Sequence, residues 1–233
     1  MSYSIEDLKR FQQRELKSRS DTFRFECQMC GKCCRKRSEP IIVNGSDVFR
    51  MSRALGISVE DFIIRNTNCY LGEHSHAPIL TLSERLDGSC RMLRKGKCMV
   101  QQDKPVVCAI YPLGRYQDSR DNSVHYFLNS NTCIGASGGK EWTLQEWLDA
   151  FHVDEVTEMS TAWNELFAGI SARMCKLDET SISIEMREVM TMALYFNYDW
   201  SRPYIQQIEE NKIEIERMFS DKFHIKFEFK ERM

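Results

Sequence analysis

Proline and glycine are scarce in this 233-residue chain, at 5 and 11 residues, which excludes collagen-like repeats and extended low-complexity linkers. Neither sign of charge dominates. Lys and Arg number 32 against 34 Asp and Glu, for a formal charge of -2, so no chain-wide field would hold a nucleic acid backbone or an anionic membrane. Long apolar runs are missing as well: nothing approaches the roughly 18 consecutive apolar residues of a bilayer span. The opening MSYSIEDLKRFQQRELKSRS also lacks the apolar core of a secretory signal. These absences point to a cytoplasmic protein with no nucleic acid partner and no membrane span. Hydrophobic residues at 42% and charged residues at 28% are ordinary for a globular chain, and the length suits one large domain or one domain with an appendage.

Cysteine, by contrast, is abundant. There are 10 cysteines, and all but Cys175 lie between Cys27 and Cys133. Structural disulfides rarely persist in a reducing compartment, so such crowding points to metal or redox chemistry. Residues 27–34 read Cys27-Gln-Met-Cys30-Gly31-Lys-Cys33-Cys34, a C-x2-C-x2-C-C pattern. Two intervening residues let the chain fold back so that both sulfurs face one centre, and Gly31 permits the tight turn between them. Ferredoxin-type motifs share the first three positions but continue with a distant Cys-Pro, whereas here the fourth cysteine is adjacent. Side chains of neighbouring residues usually diverge, so Cys33 and Cys34 are expected to serve different centres or opposite sides of one. Cys90 and Cys98 flank a hairpin-like stretch, Cys108 follows Pro105, and Cys133 follows a strand-like run. With the first four they make eight thiols, enough for two four-thiolate sites.

The predicted fold class is α+β: a cysteine-rich, metal-centred region of short helices and small β-hairpins, followed by a mainly helical bundle. Ile5, Leu8, Phe11 and Leu16 predict an N-terminal helix within residues 1–23. The cysteine-cluster domain follows over 24–135. In it, Ile41–Val43 and Ile79–Leu82 read as strands. Ser46 is placed to cap a helix ending at Leu55 before Gly56, and Ser58 with Asp61 to cap the next. Asp87-Gly88 and Lys95-Gly96 mark turns, Pro105 opens a helical turn, and Val124–Leu128 reads as a strand. Gly135, Gly138 and Gly139 mark a flexible joint. Residues 140–233 then show helical periodicity from the capping box Thr143/Glu146 onward, broken near Val153-Asp154. Further helices are predicted over Ile184–Phe196 and Pro203–Phe219. Phe223, Ile225, Phe227 and Phe229 alternate as in a closing strand.

The cysteine pattern resembles that of the YkgJ-type family, a zinc- or iron-chelating domain. Cys27, Cys30, Cys33 and Cys34 match the family's hallmark, and Cys90 and Cys98 match its two cysteines around a turn. Lys104-Pro105-x-x-Cys108-x-x-Tyr111-Pro112 is similar to its basic-Pro-x-x-Cys block, and Cys133 matches a later cysteine. Ala109 departs from the pattern, since the family often has Arg there. The resemblance covers residues 24–135 and implies metal ligation by Cys27, Cys30, Cys33, Cys34, Cys90, Cys98, Cys108 and Cys133, with either zinc or an iron–sulfur cluster as cofactor. Flagellin lysine N-methylases share the pattern, so the resemblance also implies an alternative, protein-lysine methyl transfer using S-adenosylmethionine. A second alternative is a zinc-stabilised module for a protein partner. The one glycine-rich candidate for a cofactor loop, residues 135–139, does not follow a strand and open a helix as a dinucleotide fingerprint requires.

Other signals are read as structural. His74-Ser75-His76 is taken as polar loop, and His125 and His152 as structural or surface residues. Arg85, Arg91, Arg94, Lys95, Lys97 and Lys104 would meet either an acidic partner or the negative charge of metal-bound thiolates. The large apolar residues of 147–174 are read as helix core.

Overall fold

The computed structural model describes residues 14–35, 40–117, 123–129, 133–227 and 229. Among them the strands are β1 (Glu15–Leu16), β2 (Thr22–Arg24), β3 (Ile42–Val43), β4 (Thr67–Leu71), β5 (Pro78–Leu82), β6 (Leu93–Arg94), β7 (Lys97–Cys98), β8 (Leu113–Gln117), β9 (Val124–Leu128) and β10 (Glu141–Thr143). The α-helices are α1 (Gly45–Leu55), α2 (Val59–Asn66), α3 (Val106–Ala109), α4 (Leu144–Asp149), α5 (Val153–Met174), α6 (Ile184–Thr191) and α7 (Tyr204–Phe223). Helices with small antiparallel sheets make this an α+β fold, as the sequence predicts. No helix among the described residues is long and apolar enough to cross a membrane.

The chain divides into two compact, discontinuous units. One draws its described residues from Met1–Cys30 and Pro105–Asp154, the other from Gly31–Lys104 and Glu155–Met233. Each therefore takes residues from both sides of the glycine run at 135–139.

In the first unit the sheet order is β1-β9-β8, with Leu16 opposite Tyr126, and β2 pairs with β10, setting Phe23 opposite Trp142. Its core gathers Phe23, Phe25, Ile110, Leu113, Tyr126, Leu144, Trp147 and Leu148. Trp147 meets the rings of Phe23 and Phe25 edge-on at 5.7 and 5.5 Å, and its indole N–H donates to the Ile110 carbonyl at 3.0 Å, so its one polar atom is satisfied inside the core. The predicted box forms: the Thr143 side chain accepts from the Glu146 amide while the Glu146 carboxylate accepts from the Thr143 amide. The Thr143 amide first, then its hydroxyl, donate to the Glu146 carboxylate and hold it below its usual range. The helical run breaks at His152, whose φ of 50° is left-handed. The N-terminal helix predicted for 1–23 falls partly on residues 1–13, outside the described residues. From there on the structure differs, because Glu15–Leu16 and Thr22–Arg24 are strands held by ladder bonds to β9 and β10. The glycine joint differs too. Gly135 and Gly139 stand where any Cβ would strike Glu26, and the Glu26 amide donates to the Gly135 carbonyl at 3.0 Å, so glycine serves close backbone approach there.

In the second unit β5 is the centre of a β3-β5-β4 sheet. Helix α1 is capped by Asn44, not by Ser46 as predicted: the Asn44 side chain accepts from the Asp47 amide and the Asp47 carboxylate returns the bond. Ser46 Oγ instead donates to Asn44 Oδ1 at 2.7 Å and meets Ser160 Oγ at 3.1 Å. Gly56 ends the helix at φ 64°. After α6 the helix widens into a π segment, Met192–Phe196. Its displaced carbonyls find donors: Leu194 accepts from the Trp163 indole at 2.8 Å, and Ala193 accepts from the Tyr198 hydroxyl at 2.9 Å and the Asn211 amide at 3.2 Å. The predicted terminal strand does not form within the described residues. The chain leaves α7 through His224 at φ 55°, and Ile225 and Phe227 plug the core without a ladder partner among those residues. Their alternation encoded which side chains face inward, a property that an extended segment shares with a strand.

Candidate metal centre

The C-x2-C-x2-C-C stretch turns at Gly31, whose φ is 68°, into a single 3-10 turn over Lys32–Cys34, closed by the Cys34 amide on the Gly31 carbonyl at 3.1 Å. A Cβ at Gly31 would lie 2.6 Å from Arg35 Nη1. This turn brings the Sγ atoms of Cys33 and Cys34 to 3.9 Å, correcting the expectation that adjacent cysteines diverge. The spacing is chemically informative: four thiolates about 2.3 Å from a tetrahedral metal stand about 3.8 Å from one another.

Cys90 is fixed beside that turn. Arg35 and Ser89 form an antiparallel bridge, and the Cys90 amide donates to the Cys34 carbonyl at 2.8 Å. Cys90 is 5% exposed. The Leu93 amide donates to the Cys90 carbonyl at 3.0 Å, and Leu93 lies opposite Cys98 in the β6–β7 hairpin. The hairpin turns on Lys95 and Gly96 at φ 49° and 78°, as the sequence predicts. Burial pushes the Cys98 thiol up; Cys90 and Cys33 add to that, while a backbone bond from Val100 and the charge of Lys104 oppose it. Cys33, Cys34, Cys90 and Cys98 thus share one region of the second unit.

The other four belong to the first unit. Cys27 follows Glu26, which is tied to Gly135, and the Cys27 thiol contacts the Met29 sulfur at 3.8 Å. Cys133 precedes the 3-10 turn Ile134–Ser137, accepts from the Ala136 amide at 2.9 Å and packs against the Phe25–Trp147 core. Cys108 sits in α3, which starts after Pro105, and its amide donates to the Pro105 carbonyl at 2.8 Å. Cys30 is exposed at the unit's end. Cys69, on β4, and Cys175, beyond α5, are exposed and outside both groups.

All ten cysteines are thiols with no disulfide between them. Among the described residues no group of three or more His, Cys, Asp or Glu side chains is gathered closely enough to hold a metal. The fit to a zinc or iron ion therefore rests on donor chemistry and on the Cys33–Cys34 spacing: soft thiolates are the ligands both metals accept in four-sulfur sites. Of the histidines, His125 is held between Glu15 Oε1 at 2.5 Å and Ser123 Oγ at 2.8 Å and stacks on Tyr116, which accounts for it structurally. His76 closes the turn after β4 through its amide on the Gly72 carbonyl at 2.8 Å. Sequence reasoning places Arg85 only within a basic cluster and misses that its guanidinium binds backbone carbonyls of the Cys90 loop.

The thiol-rich turn, its hairpin and the second group of cysteines all fall within one continuous stretch of sequence. Residues 26–133 match the CxxCxxCC family, described as a "putative zinc- or iron-chelating domain". That segment contains all eight candidate ligands. Comparison with curated proteins and with solved structures yields no match.

Proposed function

We propose that this protein binds zinc or iron through cysteine thiolates: Cys33, Cys34, Cys90 and Cys98 in one unit, and Cys27, Cys30, Cys108 and Cys133 in the other. The observation that carries the reading is the 3.9 Å approach of the Cys33 and Cys34 sulfurs beside the buried Cys90, within a segment that matches a metal-chelating family. Two unprotonated sulfurs at that distance would repel each other, and a bound cation removes the repulsion. A bound metal would also supply folding free energy to a region built of short elements.

The test is anaerobic purification of the full chain, metal analysis by mass spectrometry and an absorption spectrum. A brown protein absorbing broadly near ~400 nm, with iron and acid-labile sulfide, identifies an iron–sulfur centre. A colourless protein with stoichiometric zinc identifies a zinc centre. Absence of both metals from anaerobically purified protein, with no uptake on reconstitution, would sink the proposal.

A further inference from the structure

Arg85 contributes no soft donor, yet its side chain gathers the loop that carries Cys90. Nη1 donates to the carbonyls of Cys90 at 2.8 Å and Leu93 at 2.7 Å and reaches Ser89 Oγ at 3.4 Å, while Nη2 donates to the Arg91 carbonyl at 2.7 Å. The turn beneath is closed independently. The Arg85 amide donates to the Ser89 carbonyl and the Gly88 amide to the Arg85 carbonyl, both at 2.8 Å. Asp87 Oδ1 accepts from the Ser89 amide at 3.0 Å and from its hydroxyl at 2.6 Å.

Carbonyl oxygens from three residues turned toward one point repel each other unless a donor stands between them. A planar, charged fork with several N–H groups can satisfy three at once, whereas a lysine ammonium is a single point on a flexible stem. The consequence falls on Cys90. Its carbonyl is held by the guanidinium and its amide by the Cys34 carbonyl at 2.8 Å, so the backbone on both sides of its Cα is fixed and with it the direction of its Cβ. Because the fork is occupied by carbonyls, Arg85 acts through geometry; neither an acidic partner nor the thiolate charge is needed to account for it.

We propose that Arg85 is a positioning residue for the thiolate centre: it fixes the backbone that carries Cys90 beside the Cys33–Cys34 turn before metal arrives. The proposal rests on the metal-binding reading above and deepens it. Arg85 is exposed and belongs to neither apolar core, so its substitution removes no core side chain.

Arg85→Gln and Arg85→Lys in the full-length chain, with Cys90→Ser as reference, test it by two readouts. In reduced, metal-free protein, alkylation of Cys90 by iodoacetamide, followed by peptide mass spectrometry, should accelerate about tenfold in both Arg85 variants as the loop opens locally, with Cys69 and Cys175 unchanged. In a cobalt(II) titration read by the thiolate charge-transfer band, both should bind about 10- to 100-fold more weakly, the usual loss when a ligand's supporting contact is removed. Lysine should not rescue, since it keeps the charge and loses the fork. The double variant Arg85→Gln/Cys90→Ser should bind cobalt no more weakly than Cys90→Ser alone, because both changes remove the same ligand. Cobalt uptake by the wild type with Arg85→Gln indistinguishable from it in both readouts would overturn this proposal alone. No cobalt uptake by the wild type would overturn the metal-binding reading and this proposal with it.

Discussion

The sulfurs of Cys33 and Cys34 stand 3.9 Å apart although the residues are sequence neighbours. Both lie in the 3-10 turn Lys32–Cys34 that opens after the left-handed Gly31. Serine at either position removes a thiolate and leaves an oxygen that soft metals bind poorly. Cys33→Ser and Cys34→Ser should each lower bound metal, whereas Cys69→Ser and Cys175→Ser should retain the wild-type amount. Metal analysis of the four purified variants decides it. Full retention in Cys33→Ser and Cys34→Ser would remove the pair from the ligand set.

Metal removal should loosen the ligand-bearing segments before the helices. The turn at Gly31–Arg35 and the hairpin at Leu93–Cys98 are short and held by few ladder bonds, so a bound metal would dominate their order. Hydrogen exchange with and without chelator should show faster exchange there, while α5 and α7, which pack on a large apolar core, keep their protection. Equal protection in both states would argue against a structural metal.

The Leu194 carbonyl is a stability site unrelated to metal. It accepts from the Trp163 indole at 2.8 Å, and a Cβ at Gly45 would collide with that carbonyl and with the indole. Trp163→Phe should cost about 1–3 kcal/mol by leaving a buried acceptor without its donor. Gly45→Ala should cost a similar ~1–3 kcal/mol through overpacking. Urea unfolding measures both, and the double variant should depart from additivity because the two changes meet at one carbonyl.

At the start of α4, Thr143→Ala should cost about 1 kcal/mol in urea unfolding, as loss of an N-cap usually does. Glu146 adds a pH dependence of known sign. Its folded carboxyl titrates below the ordinary glutamate value of 4.5 because the Thr143 amide and hydroxyl donate to it. Its contribution is therefore present above pH 4.5 and fades as pH falls through the lowered folded value. Glu146→Gln should flatten that part of the stability profile; an unchanged slope below pH 5 would show that the box is open in solution.

Much of the architecture was legible locally. The turn at Lys95-Gly96, the boundaries of β9, the Thr143/Glu146 box and the break before α5 depend on residues within a few positions of one another, where propensity and capping act directly. Where local cues competed, tertiary partners chose. Asn44 took the cap predicted for Ser46 because Ser46 faces Ser160 across the core. Leu16 became a strand because β9 offered its edge. Gly135 and Gly139 proved to be sites of close approach to Glu26, a contact more than a hundred residues away along the chain.

By itself, the sequence determined the α+β class, the match of residues 26–133 to a chelating-domain family and which thiols are spaced like metal ligands, because period, turn chemistry and cysteine spacing are short-range properties of the chain. Only the tertiary structure decided that Cys33 and Cys34 converge, that Cys90 is pinned between the Cys34 carbonyl and the Arg85 guanidinium, and that the cysteines belong to two compact units. The physical reason is that these are orientations and long-range pairings. The energy of a hydrogen bond to a carbonyl depends on where the backbone turns that oxygen, and the folded chain sets that direction.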